Sequence, residues 1–122
     1  MAYAPVYFDA DRISYTATAA ITGGQVVAAG TSAYGVAPTS GASASVVGVA
    51  AVDTASGAQL MVYNEGVHRL TASGSIAIGD PVISAAAGAV ATISTDTTYT
   101  HVIGKALTAA TNGQTVDVLL TL

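Results

Sequence analysis

The sequence predicts an all-β protein: a compact barrel or sandwich made of two pseudo-symmetric halves. Three observations carry that expectation. Short runs rich in β-branched and aromatic residues recur along the chain, each bounded by Gly, Asn, Asp or Pro turn signals. An internal echo relates Ala20-Ile21-Thr22-Gly23-Gly24-Gln25-Val26-Val27 to Ile76-Ala77-Ile78-Gly79-Asp80-Pro81-Val82, with Gly24 and Gly79 55 residues apart. A second echo, Val47-Gly48-Val49-Ala50-Ala51 against Ile103-Gly104-Lys105-Ala106-Leu107, is offset by 56. Two copies are too few for a solenoid, which needs three or more stacked units to bury a continuous core, so the halves are expected to close on one another.

Taken in order, residues 1–11 read as an arm and residues 12–122 as a single β domain, with pseudo-repeats about 18–63 and 73–119. Four of the seven aromatic residues, Tyr3, Tyr7, Phe8 and Tyr15, fall within the first fifteen positions, and Pro5 favours an extended backbone around it. Such a segment either tucks into the domain's own core as a first strand or projects onto a partner, where rigid rings give contact at little entropic cost. The projecting form assigns partner contacts to Tyr3, Pro5, Val6, Tyr7 and Phe8.

Strands are then expected over residues 13–19, 25–29, 33–37 and 46–52, separated by the Thr22-Gly23-Gly24 and Gly30-Thr31-Ser32 turns and a small polar loop at 39–45. Asp53 nucleates the turn at 53–57. Residues 58–63 and 67–72 flank Asn64-Glu65-Gly66, and the expectation here is a central hairpin with Gly66 in the left-handed position. Leu60 and Val62 alternate with Met61 and Tyr63, so this hairpin carries apolar bulk on both faces. Cover by a second subunit or by a crossing loop accounts for that equally, and Met61, Tyr63 and Arg69 become candidate subunit contacts.

In the second half, residues 81–84 and 89–93 are strands around a turn at Ala85-Ala86-Ala87-Gly88, since four residues cannot hold a helix by propensity alone. Residues 94–99 form the loop that matches 39–45. The closing strand alternates: Val116, Val118, Leu120 and Leu122 face one way, and Thr115, Asp117, Leu119 and Thr121 the other.

Charged residues make up 8% of the chain against roughly a quarter in ordinary soluble domains, while 52% are hydrophobic. Either much of the surface is covered by neighbours, or it is a neutral, hydrated Ser/Thr/Gly surface. The net charge is −4 and the cations are Arg12, Arg69 and Lys105, which leaves no basic patch for nucleic acid. No apolar run reaches membrane-helix length, the N-terminus lacks the pattern of a signal peptide, and the absence of cysteine excludes disulfides and thiol chemistry.

A catalytic reading finds little to build on. His68 and His101 lie in different halves without metal-ligand spacing, Glu65 sits on a turn, and Asp80 is explained by the turn before Pro81. Gly41-Ala42-Ser43-Ala44-Ser45 lacks the second glycine of a nucleophile elbow, and Gly23-Gly24 opens no phosphate loop. The expectation is no enzyme, no cofactor and no metal. Arg69 is expected to pair with a carboxylate, within its own subunit or across to another.

The run from Val67 to Val82, then Val102-Ile103-Gly104-Lys105-Ala106-Leu107-Thr108-Ala109-Ala110 and Asn112-Gly113-Gln114-Thr115-Val116-Asp117-Val118, resembles the small capsid decoration, or cement, proteins of tailed bacteriophages. Through the first-half echo the resemblance covers most of residues 18–122 and does not include the arm. It implies a β-barrel or β-tulip-like domain that forms a homotrimer on the outer surface of an icosahedral head, where it binds the major capsid protein and bridges its subunits. Charge and hydropathy predict no nucleic-acid or membrane partner. A structural subunit of a phage tail or fibre and a soluble carbohydrate-binding module are the rival readings; the lack of Trp disfavours the second.

Overall fold

The computed structural model describes residues 12–122. Ten strands and one short 3₁₀ turn make up its regular structure: β1 (Arg12–Ala17), β2 (Val26–Ala29), β3 (Gly35–Pro38), β4 (Val46–Ala50), β5 (Gln59–Tyr63), β6 (Val67–Thr71), β7 (Pro81–Ser84), β8 (Val90–Thr92), the 3₁₀ turn Tyr99–His101, β9 (Val102–Ala106) and β10 (Thr115–Leu120). The first five strands form a closed barrel in the order β1-β3-β2-β4-β5, and the last five a sheet in the order β6-β10-β9-β7-β8. The expected all-β, two-half architecture is what the chain adopts.

The duplication extends to register. In the first half β2 and β4 pair Val27 with Gly48 and Ala28 with Val46, with a bulge between Val27 and Ala28. In the second, β7 and β9 pair Val82 with Gly104 and Ile83 with Val102, with the bulge between Val82 and Ile83. The lone bridges Ile21–Thr54 and Ile76–Ala110 are likewise equivalent. The halves differ at one seam. β1 and β3 pair in parallel through Thr16–Gly35 and Ala17–Val36, closing the barrel, whereas β6 and β8 meet through the single parallel bridge Ala72–Val90.

The expected central hairpin does not form. β5 is hydrogen-bonded to β1 on one side and β4 on the other, and β6 pairs with β10, so Asn64-Glu65-Gly66 links two sheets. A strand has two hydrogen-bonding edges, and both edges of β5 are occupied within its own half. Gly66 does take the left-handed conformation, at φ 96°.

Two cores follow from this arrangement. Ala17, Ile21, Val27, Val36, Ala50, Leu60 and Val62 fill the first barrel. The second cluster gathers Leu70, Ala72, Ile76, Val82, Val90, Ile103, Val116, Val118 and Leu120, and it also takes in Val26 and Val49 from the first half. Those two valines, on the outer side of the first barrel, bind the halves into one body. Each fully buried valine contributes on the order of 1.5–3 kcal/mol.

Hydrogen bonds reinforce the junction. The β7–β8 turn, with Ala87 at φ 58° and Gly88 at φ 70°, has the two left-handed central residues of a tight hairpin. Its backbone reaches across to the first half, where Val26 N donates to Gly88 O at 2.9 Å and Gly88 N donates to Thr39 O at 3.2 Å. Gln25 Nε2 donates to Ala87 O at 3.0 Å, Thr39 Oγ1 to Ala85 O at 2.8 Å and Ser84 Oγ to Gly41 O at 2.8 Å.

Candidate interaction surface

The arm contacts expected of Tyr3, Pro5, Val6, Tyr7 and Phe8 lie outside the described residues. The other candidates can be placed. Met61 points outward from β5, 40% exposed, between the buried Leu60 and Val62. Tyr63 is half-buried where the halves meet, its ring centroid 5.5 Å from that of His68. Arg69 lies on the outer side of β6, and its Nε donates to Asp117 Oδ1 at 3.2 Å across the β6–β10 pair. The guanidinium is thus paired within its own chain, and with 73% of the Arg69 side chain exposed the pair is worth less than about 1 kcal/mol.

Three other titratable groups are occupied locally. His68 Nε2 is 2.8 Å from Glu65 O in the link between the sheets. Asp80 Oδ2 accepts from Ala77 N at 2.9 Å, capping its own turn. His101 Nδ1 lies 2.7 Å from Asp96 Oδ2. The His101 hydrogen bond, aided by the Thr98 amide, holds the Asp96 carboxyl below the usual carboxylate range. Among the described residues there is no cluster of three or more His, Cys, Asp or Glu able to hold a metal.

A shallow groove of about 490 Å³ runs along the second half between the turns around Ala77 and Thr111. Its polar side chains serve those turns: Asp80 caps Ala77, and Gln114 Oε1 accepts from Thr111 N at 3.1 Å. Its walls are mainly apolar, with Ile76, Ala77, Ala109 and Ala110 among the lining residues.

More informative is the outer face of the second sheet. Val67 on β6 stands opposite Leu119 on β10, Leu119 opposite Lys105 on β9, and Lys105 opposite Pro81 on β7. Residues directly opposite one another share a face, so these four form one row across the sheet. All four are exposed, Val67 by 55% and Leu119 by 40%, and Leu107 beside them by 44%. The sequence signal for this face was Leu119, a leucine on the otherwise polar side of the closing strand.

Exposed apolar rows of this kind suit contact with another protein. The family model for phage cement proteins matches residues 6–122. The chain is a phage cement protein. The match reaches into the arm, further than the resemblance read from the sequence. The family is structural, and membership places the protein in the virion, on the exterior of the capsid. No curated protein sequence matches the chain. Among solved structures, the gp8.5 N base of the head fibre of bacteriophage phi29 superposes with a TM-score of 0.72 at 19% identity, covering 90% of this chain and 92% of that one. At that identity the likeness establishes a shared fold.

Proposed function

We propose that this cement protein binds the outer surface of an icosahedral phage head as a homotrimer and stabilises the shell by bridging subunits of the major capsid protein. The family match over residues 6–122 is the observation that carries the reading. The composition supports it: a chain with 8% charged residues that must meet sister copies and shell has little need of a charge-rich surface. Its net charge of −4 suits a place outside the shell, away from packaged DNA. A protein that binds the mature lattice and not its ruptured form stabilises the lattice by mass action.

Within this reading the arm, through Tyr3, Pro5, Val6, Tyr7 and Phe8, docks on the shell. The test uses expanded, undecorated heads. Added protein should sediment with them and raise their rupture temperature, and failure to bind removes the proposal. Deleting residues 2–8 should abolish binding while far-UV circular dichroism and thermal unfolding persist. A truncated chain that binds as well as the whole one removes the arm's role.

The fold shared with a head-fibre base favours a second reading, in which the protein is the platform of a projecting fibre on the head. Electron microscopy of decorated heads separates the two, since a platform leaves a fibre attached above it.

A further inference from the structure

We infer that the outer face of the second sheet, the row Val67–Leu119–Lys105–Pro81 with Leu107 beside it, is the surface on which a second copy of this chain docks. The inference deepens the trimer proposed above and rests on that reading for self-association alone.

The duplication supplies the reason. The equivalent row of the first barrel runs Tyr63–Val49–Val26, through the equivalent pairings of the equivalent strands. In that row Val49 and Val26 are 3% and 0% exposed, because another five-stranded unit of the same fold packs on them. The second half carries a matching row with none of the described residues packed upon it. A face whose counterpart is covered by this fold, and which presents Val67, Leu119 and Leu107 to solvent, is suited to take this fold again.

Charge favours the same occupant. Neither ion pair among the described residues involves Lys105, and each copy brings a net charge of −4, so a neighbouring copy has carboxylates to offer it.

The contact is not a repeat of the internal one. Val26 N donates to Gly88 O across the internal junction, and Pro81, in the equivalent place, has no N–H to donate. β6 and β8 meet through the single bridge Ala72–Val90, whereas β1 and β3 are paired, so the first barrel has no equivalent of that seam. The face therefore meets its neighbour through side chains, in an arrangement different from the internal junction.

The experiment is sedimentation equilibrium of the full chain beside Leu119→Glu, Val67→Glu and a control, Tyr99→Ser, changed at a 76% exposed site off this face. Circular dichroism verifies that each is folded. Wild type and Tyr99→Ser should associate alike, and Leu119→Glu or Val67→Glu should weaken association at least tenfold, to monomer at concentrations where wild type is assembled. A monomeric wild type, or face variants that keep the wild-type mass, overturns the proposal. Sedimentation with empty heads is read in parallel. Variants that keep their mass yet lose head binding assign the face to the shell, which also overturns it. Failure of wild type to bind heads, with association still lost in Leu119→Glu, overturns the proposed function and leaves the self-contact standing.

Discussion

Gly48 and Gly104 stand at the same point of the two halves, each pressed against the strand beside it. A Cβ on Gly48 would fall on the carbonyl oxygen of Tyr63 and come 2.8 Å from Val62 Cγ1. On Gly104 it would fall on the carbonyl oxygen of Leu119 and come 2.9 Å from Val118 Cγ1. Both glycines follow directly on the extra residue of the bulged pairing, Val47 in β4 and Ile103 in β9. Gly48→Ala and Gly104→Ala are each expected to cost about 1–3 kcal/mol, the scale of overpacking, and to lower Tm by several degrees. Thermal unfolding checks this, and a variant as stable as wild type at either position would contradict the tight approach.

Gly88 is held in place from the other side of the junction. Its added Cβ would lie 2.8 Å from Gln25 Cγ and 3.1 Å from Gln25 Cα, and its φ of 70° already disfavours a side chain. Gly88→Ala should therefore destabilise by at least about 1 kcal/mol through backbone strain, with displacement of Gln25 added to it. Ala87, at φ 58°, has the strain without the crowding, so Ala87→Gly should be neutral or stabilising by up to about 1 kcal/mol. Chemical denaturation of the two single variants tests the contrast. A Gly88→Ala variant as stable as wild type would show that neither the backbone strain nor the contact with Gln25 has energetic weight.

Val49 belongs by chain position to the first barrel and by packing to the second core. Val49→Ala should cost about 2 kcal/mol, from lost burial and the cavity left behind. The distinctive outcome is where protection is lost. Amide exchange should quicken in β6 and β8, around Leu70 and Val90, more than in β1 and β3. Loss confined to the first barrel would show that the valine does not join the halves.

How much of this was legible beforehand follows from what each residue's neighbours decide. The duplication was readable because matched glycines and valines repeat the same local demands, as with Gly48 and Gly104 at an offset of 56. The closing strand was readable for a similar reason: Val116, Val118 and Leu120 alternate inward, all at 6% exposure or less. The hairpin at Asn64-Glu65-Gly66 was misread, because turn chemistry reports the local bend at Gly66 and is silent on which edges β5 has already spent on β1 and β4. The junction lay hidden in a difference between the copies. Val26 and Val49 became Pro81 and Lys105, a change from buried to exposed that only the packing of one half on the other explains. Of the proposed contact residues, those in the arm fall outside the described structure, while Arg69 was foreseen as half of an ion pair whose partner, Asp117, depends on the β6–β10 register.

The loop before β9 carries a titratable anchor. Asp96 accepts from Thr98 N at 2.8 Å and lies 2.7 Å from His101 Nδ1, tying the 3₁₀ turn to the preceding bend. The His101 hydrogen bond, the largest influence, lowers the Asp96 pKa in the folded state. A carboxyl with a lowered folded pKa binds fewer protons folded than unfolded across the interval between the two values, so its contribution rises with pH there. The contribution is full above the unfolded-state value and is lost as pH falls through the folded one. In Asp96→Asn that acid-dependent part should vanish, and residues 94–101 should exchange their amides faster at neutral pH. Carboxyl titration by NMR and exchange measured in both proteins provide the check. An Asp96 that titrates in the ordinary carboxylate range, or an unchanged acid limb in Asp96→Asn, would show that the His101 contact does not hold the loop.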